Sequence, residues 1–349
     1  MIAPTGAGRR RALTLTVQIS AAAIFLGALV GTVLSSDMLA GAMMGAIASA
    51  IIAPTLCGFE MIVMEAAPGR ALRRLPFFAL FLLRTAVYLA VSYLGFVLGY
   101  AATFGLWTWT TFDRTRVWSL AYSALFGIAV NFVMLVRRLA GPGVIARFVL
   151  GRYYRPRAEQ RYFLFLDIVG STAIAEAVGP ARFHELLNQV MYDIAAGAAE
   201  TGGEIHKYVG DEAIVTWLAT GAGVDPRPAR CVALIVERLD ARAAYYAGRF
   251  GAPVRVRAGL HRGAVVTGEL GDQRQEIAML GDGINTAARL VDAARDSGQA
   301  IVATPAAADP AAAPAGWRIR PLGPVALRGK AQAIELLAIE RASPTTAAR

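Results

Sequence analysis

The sequence predicts two parts, an α-helical membrane domain with four spans followed by an α+β domain. Of its 349 residues, 56% are hydrophobic, above the roughly 45–50% of ordinary soluble proteins. This excess lies almost entirely before residue 140. After residue 160, short runs of strand-like alternation are separated by helical patterns, which is typical of a soluble α+β domain.

The membrane domain is predicted from four apolar runs. Runs 13–34 and 38–56 are separated only by a short polar turn, which favours a helical hairpin. A third run begins near residue 75, contains Arg84 and continues to residue 107, and a fourth covers 117–136. Each is long enough to cross a hydrocarbon core of ~30 Å. We place Arg84 at the inner boundary of its span, because an unpaired arginine within the membrane is costly.

The distribution of basic residues predicts the orientation of the spans. Arginines cluster before the first run, between residues 57 and 84, and after residue 136. Cytoplasmic loops carry such an excess, so both ends are expected in the cytoplasm, with multiple passes through the inner (plasma) membrane. The alternative for the first run is a signal peptide.

The net charge of +10 indicates a lipid partner rather than a nucleic acid, because the basic clusters adjoin apolar segments and suit anionic lipid. The two cysteines, Cys57 and Cys231, lie far apart in the sequence. They support neither a disulfide framework nor a zinc site.

Changes in composition predict four regions: a transmembrane domain at 1–139, a basic membrane-proximal linker or helix at 140–160, a soluble domain at 161–341, and a flexible tail at 342–349. Within the third region, strands are predicted at 161–167, 204–209, 212–218, 254–260, 264–270, 317–328 and 332–340. Helices are predicted at 172–178, 181–200, 227–247 and 284–296, and a loop at 303–316.

The stretch FLFLDIVGST places Asp167 at the end of a predicted buried strand, immediately before a Gly-Ser-Thr turn into a helix. A carboxylate beside the backbone amides of such a turn suits a triphosphate bound with a divalent cation. Taken alone, however, an aspartate here is also a common helix cap.

The stretch EIHKYVGDEAIVTW predicts a β-hairpin with Asp211 at its tip. An ordinary turn is the alternative, since Gly-Asp is a common turn pair. Two acids at a strand end and a hairpin tip are also the kind of ligands that share a pair of metal ions.

The stretch IAMLGDGINTAARL places Asn285 and Arg289 four residues apart, on one face of a predicted helix. The planar guanidinium of arginine suits phosphoryl oxygens. A solvated arginine on a helix surface is the simpler interpretation of Arg289 alone.

In this order and spacing, FLDIVGST, HKYVGDEAIV and LGDGINTAARL resemble the class III nucleotidyl cyclases, the adenylate and guanylate cyclases. The resemblance covers about residues 160–340. It implies a ferredoxin-like α+β catalytic domain that converts ATP to 3′,5′-cyclic AMP and pyrophosphate. It also implies two Mg²⁺ or Mn²⁺ ions held by Asp167, Asp211 and the backbone carbonyl of Ile168.

The resemblance further implies a set of substrate contacts. Lys207 matches the lysine that binds adenine, Asn285 the residue that orients the ribose, and Arg289 the arginine that stabilises charge on the α-phosphate. The residues implied for the β- and γ-phosphates are Ile168, Val169, Gly170, Ser171 and Thr172, with Arg328 or Lys330 reaching the same groups.

One position departs from the family pattern. Seven residues before the asparagine, many adenylate cyclases carry an aspartate, threonine or serine that recognises adenine together with the lysine, whereas this chain has Ala278. Guanylate cyclases commonly have glutamate at the lysine position, so Lys207 favours ATP. A guanylate or mixed-specificity cyclase remains an alternative.

The resemblance implies a homodimer, because in this family the metal-binding aspartates and the lysine, asparagine and arginine of one site come from different catalytic domains. Two other functions stay open. VGDEAIV superficially resembles the GGDEF hairpin of diguanylate cyclases, and Ala278 is compatible with a catalytically silent nucleotide sensor. The three histidines, His184, His206 and His261, match no catalytic triad and are interpreted as structural.

Overall fold

The computed structural model describes residues 6–35, 37–60, 75–105, 153–272 and 276–342, with the isolated positions 64, 72, 121, 125, 127–128 and 131–132. The chain separates into two compact units, residues 1–142 and 143–349. Most of the predicted linker and nearly all of the predicted tail, residues 343–349, lie outside the described residues.

Among its described residues, the first unit contains three long apolar helices, α1 (Gly6–Leu34), α2 (Met38–Gly58) and α3 (Phe77–Phe104). Each includes a segment long and apolar enough to cross a membrane, with a mean hydropathy of 1.8. The fourth predicted span, 117–136, falls largely outside the described residues.

Helices α1 and α2 form the predicted hairpin, and glycines allow their backbones to meet. Cβ atoms added at Gly31 and Gly45 would collide with the carbonyl oxygens of Gly41 and Gly27, respectively. Small residues permit this close approach between membrane helices. In the turn, the carboxylate of Asp37 accepts hydrogen bonds from the first amides of α2, at 3.0 and 3.1 Å.

Arg84 lies about two turns inside α3, and its charge is paired. Its guanidinium Nη2 lies 3.0 Å from a carboxylate oxygen of Glu60, just after α2. Tyr88, one turn further along α3, donates a hydrogen bond of 2.9 Å to the same carboxylate. Arg84 is only 5% exposed, and Glu60 supplies a charged partner that the sequence prediction, which placed Arg84 at the inner membrane boundary, did not include.

The second unit contains eight strands and five α-helices within its described residues. The strands are β1 (Arg157–Ile168), β2 (Glu204–Val209), β3 (Glu212–Leu218), β4 (Val256–Leu270), β5 (Glu276–Leu280), β6 (Ile301–Ala303), β7 (Trp317–Val325) and β8 (Ile334–Arg341). The helices are α4 (Ser171–Val178), α5 (Pro180–Glu200), α6 (Arg227–Ala241), α7 (Ala243–Phe250) and α8 (Asp282–Asp296).

These elements form one mixed sheet in the order β2-β3-β1-β4-β6-β8-β7, with β5 paired to β4. The first four strands in this order are antiparallel where they pair with one another, whereas β6 pairs parallel with β4. With the intervening helices they make the β-α-β-β-α-β arrangement of a ferredoxin-like core. The predicted α+β class is therefore confirmed for this unit.

Strand β1 is buried on both faces of the sheet. Tyr162, Leu164 and Leu166 pack in the larger core with helices α5 and α6. Phe163 and Phe165 face the opposite way and pack with α8. Because side chains alternate along a strand, Asp167 projects from the same face as these phenylalanines, toward α8.

The observed elements differ from the sequence prediction at several places. The two strands predicted at 254–260 and 264–270 are one continuous strand, β4, because residues 261–263 also pair with β1. The helix predicted at 227–247 is two helices separated at Arg242, whose guanidinium binds Asp193 of α5. Strands β5 and β6 were not predicted, and β1 begins at Arg157, inside the predicted linker.

Candidate active site

Asp167 and Asp211 meet at the end of β1. Strand β3 pairs antiparallel with β1, with Leu166 opposite Ala213, and this register brings the β2–β3 turn beside Asp167. Burial and the neighbouring charge of Asp211 together raise the pKa of Asp167 to about 6.

Glu212 is a third acid at this place, which sequence analysis missed. Burial, followed by the charges of Asp167, Asp211 and Asp292, raises its pKa to about 7. The only sequence signal was its position directly after Asp211. Raised pKa values among clustered acids mean that the site disfavours its own negative charge and suits a cation.

Asp167 and Asp211 provide two carboxylate ligands for a metal ion, and not a full set of protein ligands. Among the described residues, no group of three or more His, Cys, Asp and Glu side chains has the geometry to hold a metal ion. Magnesium in phosphoryl-transfer sites typically binds one or two carboxylates together with substrate phosphates and water. Asp167 and Asp211 fit this pattern.

The turn after Asp167 leads directly into α4. Gly170 precedes the helix with a φ of 71°, and no side chain caps the helix start. The alternative that Asp167 serves as a helix cap is therefore wrong. The amide of Val169 donates a 3.0 Å hydrogen bond to the carbonyl of Arg255, which ties this turn to the segment just before β4.

The predicted hairpin is confirmed, with β2 and β3 joined at Gly210 and Asp211. Gly210 has a φ of 63°, the left-handed conformation that glycine favours in tight turns. Lys207 of β2 is exposed, and its Nζ lies 3.3 Å from the carboxylate of Glu276 on β5. Ala278 lies two residues further along β5, opposite Gly268 of β4.

Asn285 and Arg289 lie on one face of α8, as predicted. Arg289 lies against the loop between β7 and β8: a Cβ atom added at Gly329 would be 3.3 Å from its Nη2. In the same loop Lys330 pairs with Asp282, in the first turn of α8. The structure therefore brings Arg289 and Lys330 together, while Arg328 is an exposed residue of the same loop.

Close backbone contact positions the start of α8. A Cβ atom added at Gly283 would lie 2.8 Å from the carbonyl carbon of Gly263 in β4, so both positions require glycine. His261 of β4 binds the hydroxyl of Thr304 at 2.9 Å, and burial lowers its pKa to about 4. The contact between Gly263 and Gly283 holds the helix that carries Asn285 and Arg289 against the sheet.

Residues 153–339 match the family model described as the adenylate and guanylate cyclase catalytic domain. This match covers more than half of the chain. The chain belongs to the class III nucleotidyl cyclase family.

This cyclase is 34% identical over 224 residues to adenylate cyclase 2 of Rhizobium meliloti, covering 64% of this chain and 62% of that protein. It is 27% identical over 180 residues to an adenylate cyclase of Anabaena cylindrica, covering 51% and 36%. The chain thus spans less than two thirds of the length of either relative.

The catalytic fold also resembles a solved structure, a bacterial light-regulated adenylyl cyclase. The TM-score is 0.54 with 18% sequence identity, over 66% of this cyclase and 68% of the other chain. The similarity at this level of identity shows a shared fold.

Proposed function

We propose that this class III cyclase converts ATP to 3′,5′-cyclic AMP and pyrophosphate at a membrane. The observation that carries the proposal is the meeting of Asp167 and Asp211 beside the uncapped start of α4. The names of the two similar proteins, both adenylate cyclases, support ATP as the substrate.

Asp167, Asp211 and the backbone carbonyl of Ile168 are the groups proposed to hold two Mg²⁺ or Mn²⁺ ions. Burial and the neighbouring charge of Asp211 disfavour the ionised form of Asp167, as its raised pKa indicates, and a cation removes that cost. When bound, the metal ions would acidify the ribose 3′-hydroxyl and neutralise the triphosphate.

The other residues bind and orient the substrate. The turn of residues 168–172 and the side chain of Arg328 or Lys330 are proposed to hold the β- and γ-phosphates. Asn285 orients the ribose, so that its 3′-oxygen attacks the α-phosphorus in line as the bond to pyrophosphate breaks. Arg289 stabilises the charge that develops on the α-phosphoryl oxygens.

The active form is proposed to be a homodimer with shared sites, in which Asp167 and Asp211 of one chain act with Lys207, Asn285 and Arg289 of the other. The three long apolar helices support multi-pass anchoring in the inner membrane. The clustered arginines support a cytoplasmic catalytic domain.

Product analysis tests the proposal directly. Membranes containing the full-length protein are supplied with equal concentrations of ATP and GTP and with Mg²⁺ or Mn²⁺. We expect cyclic AMP as the main product and a loss of at least ~100-fold in Asp211→Ala. Predominant cyclic GMP would assign a guanylate cyclase instead. Absence of any cyclic nucleotide, with Asp211→Ala indistinguishable from wild type, would support a silent sensor.

A further inference from the structure

Lys207 and Glu276 form an ion pair that the family pattern does not predict. They are 69 residues apart in sequence, and the Nζ of Lys207 lies 3.4 and 3.3 Å from the two carboxylate oxygens of Glu276. Their side chains are 49% and 44% exposed. A carboxylate therefore stands beside the lysine that the family pattern assigns to adenine, although Ala278 supplies none.

The strand geometry relates Glu276 to Ala278. The two residues are separated by one residue on β5, so they project from the same face of the strand, ~7 Å apart along it. The side chain of glutamate is longer than that of aspartate. The carboxylate of Glu276 thus reaches the amine of Lys207 from the same face of β5 as Ala278, but from a position two residues earlier in the strand.

The pair is poorly explained by folding alone. Ion pairs between half-exposed side chains contribute little to stability, because water screens the charges and ordering two long side chains opposes their attraction. The distances of 3.3 and 3.4 Å are also longer than good charge-assisted hydrogen bonds. Both groups consequently keep hydrogen-bonding capacity for a ligand.

We propose that Glu276 is a specificity-determining residue that recognises the purine together with Lys207, an inference that rests on the proposed cyclase function. Adenine presents an acceptor, N1, next to a donor, its 6-amino group. Lys207 donates to N1, and the carboxylate of Glu276 accepts from the 6-amino group. In the same pose guanine places its O6 against the carboxylate and its N1–H against the ammonium, and both contacts are repulsive.

The test compares ATP with purine riboside triphosphate, which lacks the 6-amino group, using full-length protein in membranes. A site whose acceptor binds a hydrogen-bond donor of the substrate discriminates against an analogue that lacks this donor. We expect wild type to prefer ATP by about 10- to 100-fold in kcat/KM. In Glu276→Ala, the ratio of kcat/KM for ATP to that for the analogue should fall to about threefold or less. The preference for ATP over GTP should decrease as well.

Two further variants separate recognition from a general defect. Glu185→Ala removes the acid of another half-exposed ion pair, with Arg249, on the surface of α5, and should leave both preferences unchanged. Adding Ala278→Asp to Glu276→Ala should restore discrimination against the analogue, because it returns an acceptor to the same strand face.

The outcomes distinguish this inference from the proposed function. If wild type forms cyclic AMP but Glu276→Ala retains the full preference for ATP over the analogue, the role of Glu276 is overturned while the cyclase function stands. If wild type forms no cyclic nucleotide from any of the three substrates, the proposed function itself fails. Loss of the preference in Glu276→Ala, with rescue by Ala278→Asp, supports the inference.

Discussion

The guanidinium of Arg289 lies against the backbone of Gly329, so that a methyl group at residue 329 would come within 3.3 Å of its Nη2. The contact joins the helix that carries the proposed transition-state arginine to the loop that carries Lys330. Gly329 has a φ of 72°, a conformation that costs a residue with a side chain roughly 1–2 kcal/mol. Two independent constraints therefore favour glycine here.

Gly329→Ala is expected to lower kcat by about 10- to 100-fold, because a small displacement of the arginine misplaces its charge relative to the α-phosphate. The matched control is Gly316→Ala, whose φ of 77° imposes similar strain but whose added methyl group meets nothing within 4 Å. Steady-state kinetics and thermal unfolding separate the effects. Equal losses of activity in both variants would mean that backbone strain alone is responsible.

The shared-site model predicts complementation between inactive chains. Asp167→Ala and Arg289→Ala should each be nearly inactive, yet co-expression should restore about a quarter of wild-type activity, since half of randomly formed twofold dimers contain one intact site. Cyclic AMP formation in membranes measures the result. The control pair, Asp167→Ala with Asp211→Ala, removes ligands from the same half and should restore nothing. Failure of the first pair to exceed the second contradicts a shared site.

The pair of Arg84 and Glu60 predicts a large stability effect in the membrane unit. Glu60→Leu leaves a buried guanidinium without its carboxylate, which typically costs ~3–5 kcal/mol. Adding Arg84→Met should recover most of that loss, because replacing a whole buried pair by apolar side chains is often neutral. Tyr88→Phe removes one hydrogen bond and should cost only ~1 kcal/mol.

Thermal unfolding of the full-length protein in detergent micelles measures this series. A Glu60→Leu single variant as stable as the double variant would show that the ion pair does not hold α2 against α3.

The low pKa of His261 predicts a stability that falls in mild acid. Burial lowers the pKa to about 4, the charge of Lys330 acts in the same direction, and Asp282 opposes both. The unfolded chain, with a histidine pKa of about 6.5, takes up the proton first as the pH falls. The stabilisation is complete above pH ~6.5 and is lost toward pH ~4, by an amount on the order of 1–3 kcal/mol.

The midpoint of thermal unfolding, compared between pH 7.5 and pH 5.5, checks this. Between these two pH values, the midpoint should decrease less in His261→Gln than in wild type. In His184→Gln, a substitution on the outer surface of α5, the decrease should equal that of wild type. His206, whose pKa is also lowered by burial, accounts for a remaining decrease. An unchanged pH dependence in His261→Gln would contradict the assignment.

Local patterns were enough to predict the parts of the site that depend on neighbouring residues. The hairpin of β2 and β3 follows from the Gly210-Asp211 turn, and the common face of Asn285 and Arg289 follows from helical spacing. The continuity of β4 was not predictable in this way, because His261 and Arg262 interrupt the apolar alternation and are held in the strand by pairing with β1.

The sequence by itself determined the membrane hairpin and the alternation of helices and strands in the second unit, because both depend on local periodicity. The resemblance of its motifs to the cyclase family singled out the acids, lysine, asparagine and arginine of the proposed site. Only the tertiary structure decided which residues meet. Pairing of β3 with β1 places Glu212 beside Asp167, the fold of the sheet brings Glu276 to Lys207, and helix packing joins Glu60 to Arg84. These contacts connect separate segments, and packing of the whole chain sets their distances, which no local pattern encodes.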